Sequence, residues 1–395
     1  MPANFATALL VAEGRRYIPA VSVQEAQSRA LLETISLGGR QTSLVTLESG
    51  PVRVRVIGYG ATVVSVECPD RKGDSTSVVL GFEDFERYLG DHPYFGSTVG
   101  RYANRIRGAA FELDGRTVRL TPNENGNQLH GGPEGFHRAW FDARALCSDE
   151  TATAIFTRTS PDGEGGFPGN VQIRVEYRLF AETPDRHLAT GTHTQGARSR
   201  ALHIDFRATT DRPTIVGMTH HGYWQLGGPS TDVRSQRLRI AADRYVPLDH
   251  DGIPAGEARS VRGSPFDFRE PHSIGERIGD PAVAIRGGYD HPLIVGGKTT
   301  VPRAVATLWD ASSGRRLDVR TTEPGLHLYT GQLLSPQATG HAPFSALCLE
   351  TGYAPDVPNR PDLGSARLDP GEVYEHTVVY CLSLDPLAPG IGGSE

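Results

Sequence analysis

The sequence has little cysteine and no long stretch of one chemical character. Its four cysteines in 395 residues form no CxxC pair, which argues against a zinc ribbon or a disulfide scaffold and fits a reducing compartment. The net charge of -6 comes without a run of lysine or arginine, so nucleic acid is not an expected partner. No apolar run approaches the roughly 20 residues of a membrane span. We therefore expect a soluble, cytoplasmic protein that binds neither nucleic acid nor membrane.

Helical periodicity is also scarce, and only the N-terminus shows it. Ser22 and Glu25 form a capping-box pattern, and Gly38-Gly39 is a helix stop signal. Apolar residues recur between them at helical spacing, at Ala26, Ala30, Leu31 and Ile35. The pattern predicts a partly helical extension over residues 1–40, and residues 386–395 read as a frayed C-terminal tail.

The remainder, residues 41–385, has the texture of strands and turns. Val52, Val54 and Val56 alternate with arginines, and Asp114-Gly115 is a hairpin turn signal between two short alternating segments. Similar alternation recurs over 171–179 and 377–383, with 46 glycines and 28 prolines as punctuation. These features predict one large all-β sandwich domain. Its size requires two extensive sheets packed face to face and favours a ligand cleft on one of them.

Several polar side chains lie where a scaffold alone does not need them. Glu350 ends an apolar run before a proline-rich turn, which makes it a candidate general base as well as an ordinary solvated strand end. His130 precedes two glycines, where a backbone can approach a ligand closely or simply turn. His220 and His221 are adjacent, and neighbours in a strand point to opposite faces. They are therefore poorly placed to share one metal.

Taken together, these clusters resemble the aldose 1-epimerase (galactose mutarotase) family from about residue 44 to residue 383. The segments that carry the front half of the resemblance are Phe95-Gly96, Gly100-Arg101, Ala103-Asn104-Arg105-Ile106, Leu129-His130-Gly131-Gly132, Gly135-Phe136 and 160–169. Those that carry the second half are 245–249, 253–256, 266–268, Tyr289-Asp290-His291, 328–331, Cys348-Leu349-Glu350-Thr351, Pro355-Asp356 and 368–372.

The resemblance implies a large antiparallel β-sandwich and a set of site residues. Glu350 matches the family's catalytic base and His221 its catalytic acid. The positions that match sugar contacts, together with one altered position beside them, are Asn104, Arg105, His130, Tyr223, Asp290 and His327. The expected partner is a small sugar or sugar-like molecule, and the expected assembly is a monomer or a homodimer.

The implied chemistry is general acid–base catalysis of ring opening. Glu350 would take the proton of the C1 hydroxyl while His221 protonates the ring oxygen, so that the C1–O5 bond breaks. Rotation about C1–C2 and reclosure then give the other anomer. Because this implied mechanism requires neither, we predict no metal and no cofactor. We expect the carboxylate and the imidazole on opposite sides of the sugar ring, with the pKa of Glu350 raised by burial near aromatic residues.

Four positions depart from the family's pattern. His220 and Gln225 each stand where the family usually has asparagine, and His327 and Gly352 each stand where it usually has glutamine. These changes leave two other functions open. One is an isomerase of a modified sugar or another cyclic hemiacetal in a specialised biosynthetic pathway. The other is a non-catalytic carbohydrate-binding sandwich, although binding alone does not require an acid and a base.

Overall fold

The computed structural model describes residues 28–180, 199–228 and 231–385. Strands dominate these residues, and the two α-helices, Pro281–Ala284 and Pro336–Thr339, are one turn each. None of the helices in the described ranges is long and apolar enough to cross a membrane.

The strands, numbered in chain order, are β1 Arg29–Leu37, β2 Arg40–Ser49, β3 Val52–Ile57, β4 Thr62–Pro69, β5 Ser75–Ser77, β6 Thr98–Val99, β7 Arg105–Ile106, β8 Ala110–Leu113, β9 Arg116–Arg119, β10 Gln128–Leu129, β11 Asp142–Cys147, β12 Thr151–Ser160, β13 Val171–Phe180, β14 Arg200–Thr210, β15 Thr214–Ile215, β16 Thr219–His220, β17 Tyr223–Trp224, β18 Arg237–Ile240, β19 Arg244–Tyr245, β20 Arg259–Ser260, β21 His272–Ser273, β22 Asp290–Ile294, β23 Arg303–Trp309, β24 Arg315–Thr321, β25 Gly325–Tyr329, β26 Leu347–Gly352, β27 Arg367–Leu368 and β28 Tyr374–Leu384.

Three antiparallel sheets form the body of the domain. The first has the order β1-β2-β3-β4-β5, the second β11-β12-β13-β14-β28-β24-β23-β18-β21, and the third β17-β26-β25-β22-β19-β20. The alternating apolar residues of these strands meet in one large hydrophobic core between the sheets. The predicted all-β sandwich is confirmed. The strand and hairpin predictions at 52–56, 111–120, 171–179 and 377–383 are also confirmed.

The prediction of a helix is wrong where the structure describes its residues. Ala30, Leu31 and Ile35 lie on β1, which pairs antiparallel with β2 along its whole length. Gly38 and Gly39 end no helix; they have φ angles of 59° and 72° and form the two-residue turn between β1 and β2. Such a turn requires positive φ, which glycine adopts without strain. The capping pattern at Ser22 and Glu25 lies outside the described residues, and the boundary at residue 41 stays a prediction.

The third sheet positions the site through the two-residue period of its strands. In β26, Leu347 and Leu349 face the large core, so Cys348 and Glu350 face the other side. The neighbouring strands obey the same rule, with Trp224, Leu326 and Leu293 in the core. The side chains on the opposite face, from four adjacent strands, are Tyr223, Glu350, His327 and Asp290.

Candidate active site

Glu350 is buried in a cluster of polar side chains on this sheet face, and this cluster and its surroundings are called the cleft. Its side chain is 7% exposed, and its strand neighbour Thr351 points the other way, to His376. Burial raises the pKa of Glu350 to about 8, helped by the negative charge of Asp290 and opposed by Arg105. The carboxyl group is therefore poised near neutral pH, which is the range that suits a general base.

His220 and His221 diverge as the alternation of a strand predicts. The His220 ring turns into the core, where its Nδ1 is 3.4 Å from the Tyr380 hydroxyl. The His221 ring turns into the cleft, with Nδ1 3.6 Å from the Cys348 sulfur and Nε2 facing Glu350. Burial lowers the pKa of His221 to about 3. Its ring is neutral at pH 7 in the free protein.

His221 and Glu350, the acid and base that the resemblance implies, are neighbours, which corrects the arrangement expected from sequence. His221 Nε2 lies 3.6 Å from Glu350 Oε1. No sugar ring fits between atoms this close, so the expectation that they lie on opposite sides of the ring is wrong. The oxygens that exchange protons, O1 and O5, are both bonded to C1. Two groups side by side therefore reach them from one edge of the sugar.

His130 faces His221 from a tight pair of loops. The backbone N–H of Asn104 donates to His130 Nδ1 at 3.1 Å, and the backbone N–H of His130 donates to the Asn104 carbonyl at 3.0 Å. Both residues have positive φ, 66° and 53°, a conformation that costs free energy and is found mostly where surrounding contacts enforce it. Because Nδ1 accepts, the neutral His130 ring carries its proton on Nε2 and is a donor at that atom.

His130, His221 and Glu350 each bring one potential metal-ligand atom, and these three atoms lie within 4.8 Å of one another. By distance alone, these atoms could surround a metal ion. A metal bound to His130 Nε2 would force the proton onto Nδ1, which already faces the Asn104 N–H. The Nδ1–H of His130 and the backbone N–H of Asn104 would then point at each other in a buried place, and neither would have a hydrogen-bond acceptor there. The hydrogen bonding therefore disfavours a metal ion at this cluster.

Arg105 enters the cleft from β7, directly after Asn104. Its Nε and Nη2 donate to the two carboxylate oxygens of Glu124 at 2.5 and 2.9 Å. This bidentate pairing fixes the guanidinium plane. Its positive charge is close enough to lower the pKa of Glu350, so it stabilises the ionised form of that carboxyl group.

Asp290 and His327 form a second buried pair across β22 and β25. His327 Nε2 lies 2.7 Å from Asp290 Oδ1, and His327 Nδ1 lies 3.2 Å from the Asn104 amide nitrogen. Arg286 Nε donates to the other Asp290 oxygen at 3.0 Å. Burial alone would raise the pKa of Asp290, but the hydrogen bond and charge of His327 and the Arg286 charge hold it well below its usual range. Asp290 is thus an ionised acceptor beside a protonated Glu350.

Aromatic rings enclose His221 on both faces. Tyr223 stacks on it at a centroid distance of 5.1 Å and Tyr94 at 5.6 Å. Sequence reasoning selected Tyr223 but passed over Tyr94, although it lies in a segment flanking the Asn104 cluster. It also missed Cys348, Glu124 and Arg286. Their partners in the cleft are His221, Arg105 and Asp290, which lie 127, 19 and 4 residues away in the chain. The eight selected residues all lie in this one cleft.

Comparisons with known proteins identify the family. A model of the aldose 1-epimerase family matches residues 43–381. Galactose mutarotase of Bos taurus is 36% identical over 363 residues, which cover 90% of this chain and 98% of the relative. The chain belongs to the aldose 1-epimerase family.

Two further relatives extend the comparison. Aldose 1-epimerase of Escherichia coli (strain K12) is 36% identical over 351 residues, or 87% of this chain and 95% of that relative. The solved structure of galactose 1-epimerase from Lactobacillus acidophilus NCFM superposes with a TM-score of 0.78 at 27% identity, covering 91% of this chain and 99% of the other.

The four departures from the aldose 1-epimerase pattern lie in different surroundings. His220 is in the core, and the Gln225 amide donates to the carbonyls of Thr231 and Ser345. His327 lies within the cleft network. Gly352 follows Glu350 by two residues and therefore lies on the same face of β26. A Cβ at Gly352 would meet nothing nearer than a backbone oxygen at 4.0 Å, so a side chain can begin at this position without a clash.

Proposed function

We propose that this protein is an aldose 1-epimerase that interconverts the α and β anomers of a sugar, with Glu350 and His221 as its proton-transfer pair. The observation that carries the proposal is the buried contact of these two groups, 3.6 Å apart, in a cleft lined by hydrogen-bonding side chains. A carbohydrate-binding sandwich has no need for a carboxyl group whose pKa is raised to about 8 beside an imidazole. Burying both groups costs stability that binding alone does not require.

The pair holds one proton in the free protein, and the opposite directions of the two pKa changes place it on Glu350. Its transfer to His221 gives the ionised form that starts ring opening. Glu350 then takes the O1 proton as His221 protonates O5, and the C1–O5 bond breaks to give the aldehyde. Reclosure on the other carbonyl face reverses both transfers. The pair still holds one proton at the end, so no cofactor or solvent proton is consumed.

The other cleft residues bind and orient the sugar in this proposal. His130 Nε2–H is a donor toward the reacting oxygens, and Arg105 stabilises negative charge on Glu350. Asp290 accepts from sugar hydroxyls, Asn104 and His327 hold it in place, and Tyr223 covers the apolar face of the ring. Oriented groups of this kind allow the same pair to act in both ring opening and closure.

The test is the decay of optical rotation of freshly dissolved α-D-glucose and α-D-galactose. Wild-type protein should accelerate it measurably beyond buffer. Glu350→Gln and His221→Asn should each lower kcat by roughly 100-fold or more, because positioned acid–base groups contribute about 10² to 10⁴. Sugar binding, followed by calorimetry, should change far less.

His220→Asn is the matched control for the histidine. It alters the neighbouring imidazole, which contacts Tyr380 and not Glu350, and it should retain most of the activity. Near-normal rates in Glu350→Gln or His221→Asn would contradict the proposed roles. A wild-type rate equal to buffer for every aldose would favour the second hypothesis, a modified sugar or another hemiacetal.

We also propose that the enzyme acts in the cytoplasm. In the part of the chain that the structure describes, all four cysteines are free and three of them are buried, which suits a reducing compartment. Fractionation of cells that express the tagged protein would test this proposal.

A further inference from the structure

Strand β1 is an edge strand with an uncovered apolar centre. Among the described strands it pairs only with β2, so its outer row of backbone groups faces away from the sheet. Leu31 and Leu32 at its centre are 53% and 49% exposed. Since consecutive residues of a strand point to opposite faces, one half-exposed leucine stands on each face of the sheet at this place. Exposed edges of this kind are templates for pairing with another strand.

The charges of β1 are arranged symmetrically about Leu31. Arg29 lies two residues before it and Glu33 two residues after it, and both are exposed. No ion pair joins either of them to another residue in the described ranges. When two copies of such a strand pair antiparallel with Leu31 opposite Leu31, Arg29 of each copy lies opposite Glu33 of the other. Residues directly opposite in antiparallel strands have Cβ atoms about 5 Å apart, so both charge pairs form at once.

We propose that β1 is a dimerisation edge, and that its occupant is β1 of a second copy of this chain, paired antiparallel about a two-fold axis at Leu31. The contact is isologous, as the two-fold symmetry of most homodimers requires. It places Leu31 against Leu31 on one face and Leu32 against Ala30 on the other, and it continues the first sheet into the partner.

The neighbouring edge supports the same surface. Strand β11, at the edge of the second sheet, packs beside β1, and the Cys147 thiol donates to the Ser28 carbonyl at 2.8 Å. Leu146 on that strand is 58% exposed. The two edge strands therefore lie close together. The cleft lies on the third sheet, so the proposed contact leaves it open.

The experiment is light scattering coupled to size-exclusion chromatography over about 1 to 300 μM full-length protein. Wild type should show a concentration-dependent dimer. Glu33→Arg places arginine opposite arginine twice in each dimer, and Arg29→Glu places glutamate opposite glutamate twice. Each should weaken dimerisation roughly ten-fold or more, since like charges directly opposite are destabilising. The double variant R29E/E33R restores both opposite pairs and should restore the dimer.

Glu257→Arg is the control, because it reverses an exposed charge in the loop before β20, a strand of the third sheet. It should leave both dimerisation and activity unchanged, and the Arg29 and Glu33 variants should keep wild-type activity per subunit. A protein that remains monomeric at all concentrations overturns the proposal. So does a dimer that neither single charge reversal weakens, because its interface then lies elsewhere.

Discussion

Glu350 is expected to make the folded protein less stable as the pH rises, and replacing it with glutamine removes that cost. Burial raises its pKa from 4.5 to about 8 in the folded state. Between these values, the folded protein holds a proton that the unfolded chain has lost, so the free energy of unfolding falls as the pH rises through this window. Glutamine has a similar shape and does not titrate.

The magnitude follows from the pKa difference. A difference of about 3.5 pH units, at about 1.36 kcal/mol per unit, corresponds to about 5 kcal/mol of lost stability once the pH exceeds both values. At pH 5 the cost is about 1 kcal/mol, because the unfolded carboxyl group is already mostly ionised. From pH 5 to pH 9, wild type should therefore lose about 4 kcal/mol relative to Glu350→Gln.

The assay is urea unfolding of both proteins, followed by tryptophan fluorescence, at intervals from pH 5 to pH 9. Other titrating groups are common to the two proteins, so the difference between the curves isolates Glu350. The exposed control Glu257→Gln should give curves parallel to wild type. Parallel curves for Glu350→Gln as well would refute the reasoning, since the carboxyl group would then not be destabilised by burial.

Four other predictions concern the cleft. The kcat/KM for mutarotation, after subtraction of the buffer rate, should fall above about pH 8, where Glu350 loses the proton that the pair needs; a rate that still rises at pH 9 would contradict this. His327→Ala should raise KM roughly ten-fold by freeing Asp290 and Asn104, whereas His327→Gln, which keeps a donor and an acceptor, should raise it much less. We expect the kcat/KM of wild type for glucose and galactose to be measurable but low, and we expect Gly352→Gln to raise it by restoring an amide beside the cleft; a high wild-type value that the substitution leaves unchanged would show that position 352 does not select the sugar. Dialysis against a chelator should leave activity intact. A loss of activity that a divalent ion restores would overturn the conclusion that the hydrogen bond at His130 Nδ1 disfavours a metal ion.

The sequence predicted the sheet-rich body of the protein well, because a strand's period of two is a local property. Alternation at Val52, Val54 and Val56 or over 171–179 is visible without knowledge of any partner. It failed at 29–37, where apolar residues at Ala30, Leu31 and Ile35 also fit a helical period. There the Gly38-Gly39 turn and the pairing with β2 decided for a strand. Short apolar patterns do not by themselves distinguish the two structures.

Motifs and their resemblance selected Glu350, His221 and the residues around them, since each carries its chemistry in its own side chain. Only the tertiary structure placed the acid and base 3.6 Å apart, assigned the His130 proton to Nε2 through the Asn104 N–H and tied His327 to Asp290. These facts depend on loops and strands that lie far apart in the chain and meet only when the sheets pack. Protonation is set by burial and by neighbouring charges, and neither is a property of the local sequence.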